Sequence, residues 1–188
     1  MIRKSIRLTL LGLAVLLLGA CNKDIKSNPT AASVPSAQVY YTQFSLFQEK
    51  NNFRTTNYRK GSLIPINTPV ALMSIDSGQA VLKLVDSGQP LIIENVPKFT
   101  KDEMAVAFTK IAGTTKVDLS RFTPAERDAI MLGQVKNGMS KKAVIAAIGY
   151  PPQHVTPSLE VNDWTYWSNL FNRFVVHFKN DKVESIVE

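Results

Sequence analysis

The sequence predicts an α+β protein in which short helices pack on an antiparallel sheet, preceded by a small β-rich region. Apolar and polar residues alternate within residues 54–95, where the turn sequence Asp-Ser-Gly occurs at residues 76–78 and 86–88. Residues 100–149 instead carry apolar side chains at helical spacing behind capping residues. Strand-like alternation returns over residues 164–187, where Phe174, Val176 and Phe178 alternate and a turn at Asn180-Asp181 predicts a closing hairpin.

The first twenty residues combine a basic tip with a short apolar run. Arg3, Lys4 and Arg7 precede residues 8–20, which are thirteen uncharged residues dominated by leucine. A membrane-spanning helix needs about 20 residues, so this run is too short to be one. A positive tip, a short apolar core and small residues at its end are typical of a secretory signal. We therefore predict that residues 1–20 are a signal peptide.

The only cysteine, Cys21, directly follows this run. The sequence 18-LGAC-21 resembles the lipobox of bacterial lipoproteins. This resemblance implies a diacylglyceryl group on the Cys21 sulfur, cleavage before Cys21 and acylation of the new amino group, for example by palmitate. Because each buried CH₂ contributes about 0.8 kcal/mol, two or three such chains anchor a protein stably. By resemblance to enterobacterial lipoproteins, Asn22 in place of Asp favours the outer membrane, facing the periplasm.

Charge and cysteine content exclude several kinds of partner. Loss of three basic residues with the signal peptide lowers the formal net charge from +7 to +4. The remaining lysines are scattered rather than arranged in a stripe, so we expect no nucleic-acid partner. A mildly basic surface suits anionic lipid, lipopolysaccharide or peptidoglycan. With Cys21 lipidated, we expect neither a disulfide nor a cysteine metal site.

Two segments lie between Cys21 and the β-rich region. Residues 22–38 are polar, small and interrupted by proline, which is typical of a flexible tether. Residues 39–53 contain five aromatic residues. Tyr40, Phe44 and Phe47 fit helical spacing, and Tyr40, Phe44 and Leu46 fit strand alternation, so periodicity does not decide. Packing against the protein's own core is the main interpretation, and a partner-binding arm or contact with lipid are the alternatives.

The β-rich region is predicted to contain three strands, at residues 70–75, 81–85 and 91–93. Residues 60–76 resemble the opening strands of a small SH3-like barrel. That resemblance implies contact with peptide or cell wall, and simple packing is the competing interpretation.

Three helices are predicted next. Thr100 and Glu103 suggest a capping box for the first helix, which Gly113 ends. The second helix starts at 123-TPAE-126 by the same device, with proline at its first position. The third is capped by Ser140 and ended by Gly149, which suits a left-handed C-cap. The buried stripe of the first helix is predicted to consist of Met104, Ala107, Phe108 and Ile111.

Three pieces of sequence follow one another within residues 125–188: 138-GMSKKAVIAAIGYP-151, then Asp163-Trp164-x-Tyr166 with Arg173, and finally 174-FVVHFKNDKVESI-186. In these pieces the segment resembles the SmpA/OmlA lipoproteins, the BamE-like family. The resemblance implies two helices against a three-stranded antiparallel sheet. It also implies a non-catalytic role in the outer membrane, several members being accessory parts of the machinery that inserts β-barrel proteins. The same fold occurs in enzyme inhibitors, so fold alone does not set the target.

The chain departs from compact members of that family by an additional β region and helix upstream and by a longer loop within residues 150–167. The predicted organisation is a signal peptide (1–20), a lipid anchor with tether and aromatic segment (21–53), a β-rich region with one helix (54–112) and an SmpA/OmlA-like α+β domain (113–188).

No catalytic, cofactor or metal site is predicted. His154 and His177 are the only histidines, fewer than the three or four converging ligands of a metal site. Nucleophile elbows, zincin motifs and glycine-rich phosphate loops do not occur in the sequence. Asp102 and Glu103 are adjacent carboxylates at a predicted helix start, where they serve the dipole and the cap. We therefore expect that the protein is not an enzyme.

The aromatic cluster near residue 167 supplies the candidate interaction site. Alternation places Trp164 and Tyr166 on one face, predicted to be core, and Trp167 on the other. Trp167 and Phe171 form either secondary packing or, together with Arg173, a candidate partner surface. The leading hypothesis is a non-catalytic envelope scaffold or assembly accessory that contacts outer-membrane β-barrel assembly proteins. The alternative is a periplasmic binding module for peptidoglycan or an inhibitor of a periplasmic enzyme.

Overall fold

The computed structural model of the protein describes residues 38–188, all of which fall in one unit. The predicted signal peptide, Cys21 and the tether up to residue 37 lie outside the described residues. The described part is α+β, as predicted. It contains a curled six-stranded sheet, a three-stranded sheet, a two-stranded sheet and a few short helices.

The elements of the first half build the six-stranded sheet, the two-stranded sheet and two short helices. They are β1 (Val39–Thr42), β2 (Leu46–Gln48), β3 (Asn52–Arg54), β4 (Ser62–Ile64), β5 (Pro69–Ile75), β6 (Gln79–Leu84), β7 (Pro90–Glu94), α1 (Pro97–Thr100), α2 (Met104–Ile111) and β8 (Ala112–Gly113). The second half contains a 3₁₀ turn (Leu119–Arg121), α3 (Pro124–Met131), α4 (Lys141–Ile148), β9 (Asp163–Trp167), β10 (Arg173–Lys179) and β11 (Lys182–Val187).

The six-stranded sheet has the strand order β3-β7-β6-β5-β1-β8, in which only β3 and β7 are parallel. The three strands predicted in the β-rich region are confirmed as β5, β6 and β7. Residues 39–53 form β1, β2 and β3, so the interpretation that they pack against the protein's own core is confirmed. Strands β2 and β4 pair separately as a two-stranded sheet.

Helix α2 covers the core of this sheet with the predicted stripe, which is buried. The predicted capping box at Thr100 is wrong. Thr100 belongs to the short helix α1, which ends when Lys101 adopts a positive φ, and α2 starts after Glu103 without a side-chain cap. The chain therefore restarts helix three residues later than the sequence pattern suggested, because the left-handed Lys101 separates the two turns.

Helices α3 and α4 begin as predicted. Thr123 and Glu126 form a complete capping box, and the Ser140 hydroxyl accepts the Ala143 N–H. At the end of α4, Gly149 has a positive φ of 76° but an extended ψ of −168°. It is therefore not the left-handed cap that the sequence suggested, although it occupies a backbone region that is essentially restricted to glycine.

The three-stranded sheet has the order β11-β10-β9 and packs against α3 and α4. Strands β10 and β11 join at Asn180 and Asp181, which both have positive φ, as a tight hairpin turn requires. Trp164 and Tyr166 lie fully buried in this core, as predicted.

Ser45 connects the two cores. Its hydroxyl donates to the Ile130 carbonyl at 2.6 Å and accepts the Ile66 N–H at 3.0 Å, and its backbone N–H donates to the Ala146 carbonyl at 3.1 Å. One buried serine thus ties the first sheet to α3 and α4. Among residues 38–188, none of the helices has the length and apolar character of a membrane span.

Candidate partner surface and cleft

The connection between β9 and β10, which we call the hairpin tip (residues 168–172), presents two apolar side chains to solvent. Leu170 is 61% exposed and Phe171 is 84% exposed. The Asn169 Oδ1 accepts the backbone N–H groups of Phe171 at 2.9 Å and Asn172 at 3.0 Å, and the Ser168 N–H donates to the Asn172 carbonyl at 2.9 Å. These hydrogen bonds stabilise the backbone of the tip, and its two apolar side chains stay exposed.

A hollow of about 210 Å³ lies beside the hairpin tip. Phe99 and His154 contact each other there, with 4.7 Å between their ring centroids. Because Leu170 lines the hollow and also belongs to the tip, the two form one continuous surface. The residues that line the hollow are Thr56, Tyr58, Phe99, Pro152, His154, Trp167 and Leu170.

The three residues of the predicted partner surface all lie at or next to this surface. Trp167 and Arg173 are directly paired across β9 and β10. Trp167 is half-buried and lines the hollow, whereas Phe171 extends from the tip and Arg173 is exposed. Trp167 therefore contributes both to packing and to the accessible surface, and Phe171 contributes to the surface alone.

Cations border the aromatic rings of this region. The Lys98 ammonium lies 5.7 Å from the centre of the Phe99 ring. Lys60 forms an exposed ion pair with Glu49 at 3.2 Å, and both residues line a depression that also includes Phe171. An apolar centre with a charged rim is the usual anatomy of a protein–protein contact surface.

Arg59 fixes the segment behind the surface. Its backbone N–H donates to the Trp167 carbonyl at 3.2 Å, and its guanidinium donates to the Gly133 carbonyl at 2.7 Å and lies 4.4 Å from the centre of the Phe47 ring. Burial lowers the pKa of Arg59 to about 10, and the neighbouring Tyr166 phenol partly offsets this effect. The group stays charged at neutral pH and anchors β9 to the chain after β3.

The segment of residues 55–58, which we call the partition, separates the hollow from a second cavity. Thr56 lines the hollow and Asn57 lines the other side. The Thr56 Oγ1 and the Asn57 Oδ1 are the two buried side-chain polar atoms without a hydrogen-bond partner among the described residues. An unsatisfied buried polar atom costs about 1–3 kcal/mol, so two on neighbouring residues mark an unusual segment.

The second cavity, which we call the cleft, also measures about 210 Å³. Phe44, Phe53 and Ile111 contribute apolar walls from the first core, and residues 150–159 close the opposite side. Asp102 and Lys110 lie in the wall as an ion pair at 2.6 Å. The prediction that Asp102 and Glu103 serve a helix cap is wrong, because neither side chain caps α2 and Asp102 instead binds Lys110.

Glu126 is the most strongly perturbed carboxylate of the described chain, and it serves structure. Burial raises its pKa, but hydrogen bonds from the backbone and hydroxyl groups of Ser140 and Thr123 outweigh burial and lower the pKa to about 2. Lys182 approaches it at 3.7 Å. Glu126 thereby joins the starts of α3 and α4 to β11, and it lines none of the cavities described here.

The two histidines are placed apart in the fold. His177 lies on the outer face of β10, where its Nδ1 is 2.7 Å from the Asp163 carboxylate, while His154 contacts Phe99 in the loop. Among residues 38–188 no group of three histidine, cysteine or acidic side chains is placed to hold a metal ion.

Sequence reasoning missed several residues of the surface and the whole cleft. The exposure of Leu170 could have been predicted, because Leu170 lies beside Phe171 and between two asparagines, which are typical of a turn. No local pattern predicts that Tyr58, Phe99 and His154 meet, since they come from three segments that only the fold brings together. No family model, curated protein or solved structure matches this chain.

Proposed function

We propose that the protein is a lipid-anchored outer-membrane lipoprotein that acts as a non-catalytic envelope scaffold or assembly accessory through protein–protein contacts. The observation that carries the proposal is the hairpin tip, where Leu170 and Phe171 are exposed on a backbone that hydrogen bonds hold fixed. Exposed apolar groups next to an aromatic hollow are typical of interaction sites. A rigid tip also loses little conformational entropy when a partner covers it.

The finer classification is part of this proposal. For residues 113–188 it is SmpA/OmlA-like, and the packing of α3 and α4 against β11-β10-β9 supports it. For the β-rich region it is SH3-like, and the antiparallel arrangement of β5, β6 and β7 with tight turns supports it. The partner class that follows from this likeness is an outer-membrane β-barrel assembly protein.

In this proposal, the lipid on Cys21 anchors the protein to the outer membrane. The lipobox-like 18-LGAC-21 and the basic, apolar start of the chain support it. Anchoring restricts the folded part to the periplasmic face of the membrane, where partners embedded in the same membrane lie close by. A modest contact area at the tip is then sufficient, because anchoring raises the effective concentration of the partner.

The test is co-purification from detergent-solubilised membranes of the source bacterium. The double variant Leu170→Ser/Phe171→Ser removes the apolar tip, and Met73→Ser is the matched control, because Met73 is 60% exposed on the first sheet. We expect the wild type and the control to retain a β-barrel assembly protein and the tip variant to lose it. Equal recovery with all three, or no membrane protein enriched above an unrelated lipoprotein, would contradict the proposal.

The hollow favours one alternative, a binding module for peptidoglycan. Tyr58, Phe99 and Trp167 bring aromatic rings to a single depression of a size that suits a sugar or peptide fragment. Retention of the full chain on purified sacculi, lost in Trp167→Ala and kept in Phe171→Ser, would favour this alternative over the scaffold, because Trp167 lines the hollow and Phe171 does not. The other alternative is inhibition of a periplasmic enzyme. In that case the hairpin tip would insert into the active site of the enzyme.

A further inference from the structure

We propose that one end of the six-stranded sheet rests on the phospholipid surface to which the protein is anchored. We call this end the tether end, and its apolar contact residues are Val39, Met73 and Ile75. The inference rests on the lipid anchor at Cys21 in the function proposed above, and it adds a direct contact between the folded part and the bilayer.

The chain enters the fold at the tether end. β1 begins at Val39, which lies opposite Ala71 of the antiparallel strand β5. Beyond Ala71, β5 continues through Met73 to Ile75. Because the two strands are antiparallel, the N-terminal end of β1 lies towards the C-terminal end of β5. The chain that leads back to Cys21 therefore leaves the sheet at the end that carries Met73 and Ile75.

The length of the tether limits the distance between this end and the bilayer. Residues 22–38 separate Cys21 from Val39. A polar, proline-containing chain of that length spans about 20–25 Å on average when flexible. Confinement within that distance gives the tether end a high effective concentration of lipid, so a small contact area is sufficient for binding.

Three large apolar side chains are exposed at the tether end. Met73 is 60% exposed, Ile75 is 42% exposed and Val39 is 36% exposed. Strand spacing places their Cα atoms within about 15 Å of one another. Met73 lies at the register shift between Leu72 and Ser74, and such β-bulges redirect side chains at sheet edges. Grouped apolar side chains of this kind indicate a contact surface, and the position of the tether identifies lipid as what it contacts.

The charges at the tether end are compatible with a phospholipid surface. The Asp76 Oδ1 accepts two backbone N–H groups of its own turn, at 2.7 Å and 2.9 Å. Lys83 is exposed and lies in the same row of the sheet as Val39, because both are opposite Ala71. A lysine beside lipid can lay its methylene groups on the apolar surface and keep its ammonium among the headgroups. We therefore expect the contact to depend on apolar area more than on salt.

The tether end does not share residues with the hairpin tip. The tip borders a depression with Glu49 and Lys60, and Glu49 forms a bridge to Asn52 at the start of β3. β3 is an edge strand that β7 and β6 separate from β5. Because the lipid contact uses β1 and β5, lipid and a protein partner at the tip can bind at the same time.

The test measures lipid contact of the full lipidated chain in vesicles of phosphatidylethanolamine and phosphatidylglycerol. A fluorophore is attached at Ser74→Cys, which retains all three apolar residues, and is quenched by phospholipid that carries a nitroxide. Because lipidation consumes the Cys21 thiol, the introduced cysteine is the only free thiol of the chain. The matched control is Ser87→Cys, also exposed, in the turn between β6 and β7 at the opposite end of the sheet. We expect quenching at position 74 to exceed quenching at position 87 at least about threefold.

Two further variants separate contact of the protein from contact of the fluorophore. Met73→Ser/Ile75→Ser removes apolar side chains of the tether end, whereas Val85→Ser removes an exposed apolar side chain at the opposite end. With the label at position 74, we expect quenching to fall to the level of position 87 in the first variant and to be unchanged in the second. Raising the salt concentration to about 0.5 M should change quenching by less than about a quarter, because salt does not screen an apolar contact.

The remaining outcomes separate failure of this inference from failure of the anchor. Equal quenching at positions 74 and 87 in a lipidated chain would overturn the lipid contact and leave the anchor intact. An intact mass without acyl chains on Cys21 would contradict the anchor, and the inference with it. Loss of quenching in high salt would show an electrostatic contact in place of the apolar one and would also contradict the inference.

A protein in place of lipid has a distinct signature. If position 74 stays unquenched in vesicles while a photoreactive residue at position 75 captures a protein in cells, the tether end binds protein and the inference is wrong. Loss of the hairpin-tip partner in the co-purification test would leave the quenching results unaffected, because that test concerns a different surface.

Discussion

Strand β9 and the turn that follows it place aromatic residues in two opposite environments within a few residues. On the inner face, Trp164 and Tyr166 are 1% and 0% exposed, and each uses its polar atom: the Trp164 Nε1 donates to the Val161 carbonyl and the Tyr166 hydroxyl to the Gly149 carbonyl. On the outer side, Trp167 leads into a tip where Phe171 is almost fully exposed. This difference in exposure indicates that Trp164 and Tyr166 stabilise the fold, whereas the side chain of Phe171 is accessible to a partner.

The largest expected effect is on the inner face. Trp164→Ala removes a buried ring that packs 4.6 Å from Phe178, so we expect the free energy of unfolding to fall by about 3–5 kcal/mol. Urea denaturation monitored by circular dichroism measures it. Trp167→Ala, on the half-buried outer side of the same strand, serves as the control. If Trp167→Ala lowers the free energy of unfolding as much as Trp164→Ala does, the two faces do not differ in their contribution to stability.

The inner face also depends on Gly149, whose carbonyl accepts the Tyr166 hydroxyl. A Cβ at Gly149 would lie 2.6 Å from the Phe44 ring, and its φ of 76° is unfavourable for other residues. We expect Gly149→Ala to destabilise the protein by about 2–4 kcal/mol. Gly138→Ala is the matched control, since Gly138 also has a positive φ but nothing within 4 Å of its Cβ position. That substitution should cost only about 1–2 kcal/mol. Equal costs in thermal unfolding would show that contact with Phe44 contributes nothing.

Glu126 makes the inner core sensitive to acid. Its pKa is lowered from 4.5 to about 2 in the folded protein, so the carboxylate contributes stability that is fully present above pH 4.5. That contribution is lost as pH falls from 4.5 towards 2, and amounts to about 2–3 kcal/mol. Urea titrations at a series of pH values should show a smaller loss over this range in Glu126→Gln than in the wild type. Parallel curves for the two proteins would contradict the assignment.

The smallest expected effect on stability is on the outer side. Leu170→Ser/Phe171→Ser should change the free energy of unfolding by less than about 0.5 kcal/mol, because both side chains are already in water. The hydrogen bonds of Asn169 that hold the tip use backbone groups and remain in the variant. Thermal unfolding measured beside Met73→Ser tests this expectation. A marked loss of stability would assign Leu170 and Phe171 to packing.

Local signals made α3, α4 and the final hairpin predictable. The capping box at Thr123, the cap at Ser140 and the alternation of Phe174, Val176 and Phe178 act within a few residues, and each is found in the structure. The strands of residues 39–53 were ambiguous, because β1 pairs with β5 and β3 pairs with β7, which are distant along the chain. The predicted start of α2 was wrong because Lys101 adopts a left-handed conformation, which the sequence usually signals by a glycine.

The candidate sites also differ in whether local sequence predicts them. The outward position of Trp167 was predictable, because alternation along β9 separates it from Trp164 and Tyr166. Phe171 lies beyond the strand, where alternation does not apply. The cleft was not, since Asn57, Lys110 and Tyr150 meet only after the first sheet packs against α4. An acceptor without a partner is a property of three-dimensional packing, and no spacing in the sequence reveals it.

The most direct test of the outer surface is in-cell crosslinking from a photoreactive amino acid at position 171, with the same residue at position 73 as the control. Both positions are exposed; position 171 lies in the hairpin tip and position 73 lies on β5 of the six-stranded sheet. A specific adduct between position 171 and an outer-membrane β-barrel assembly protein, missing at position 73, is the predicted result. Adducts that are identical at both positions, or that contain only glycan strands, would contradict the account of the hairpin tip as a protein-binding surface.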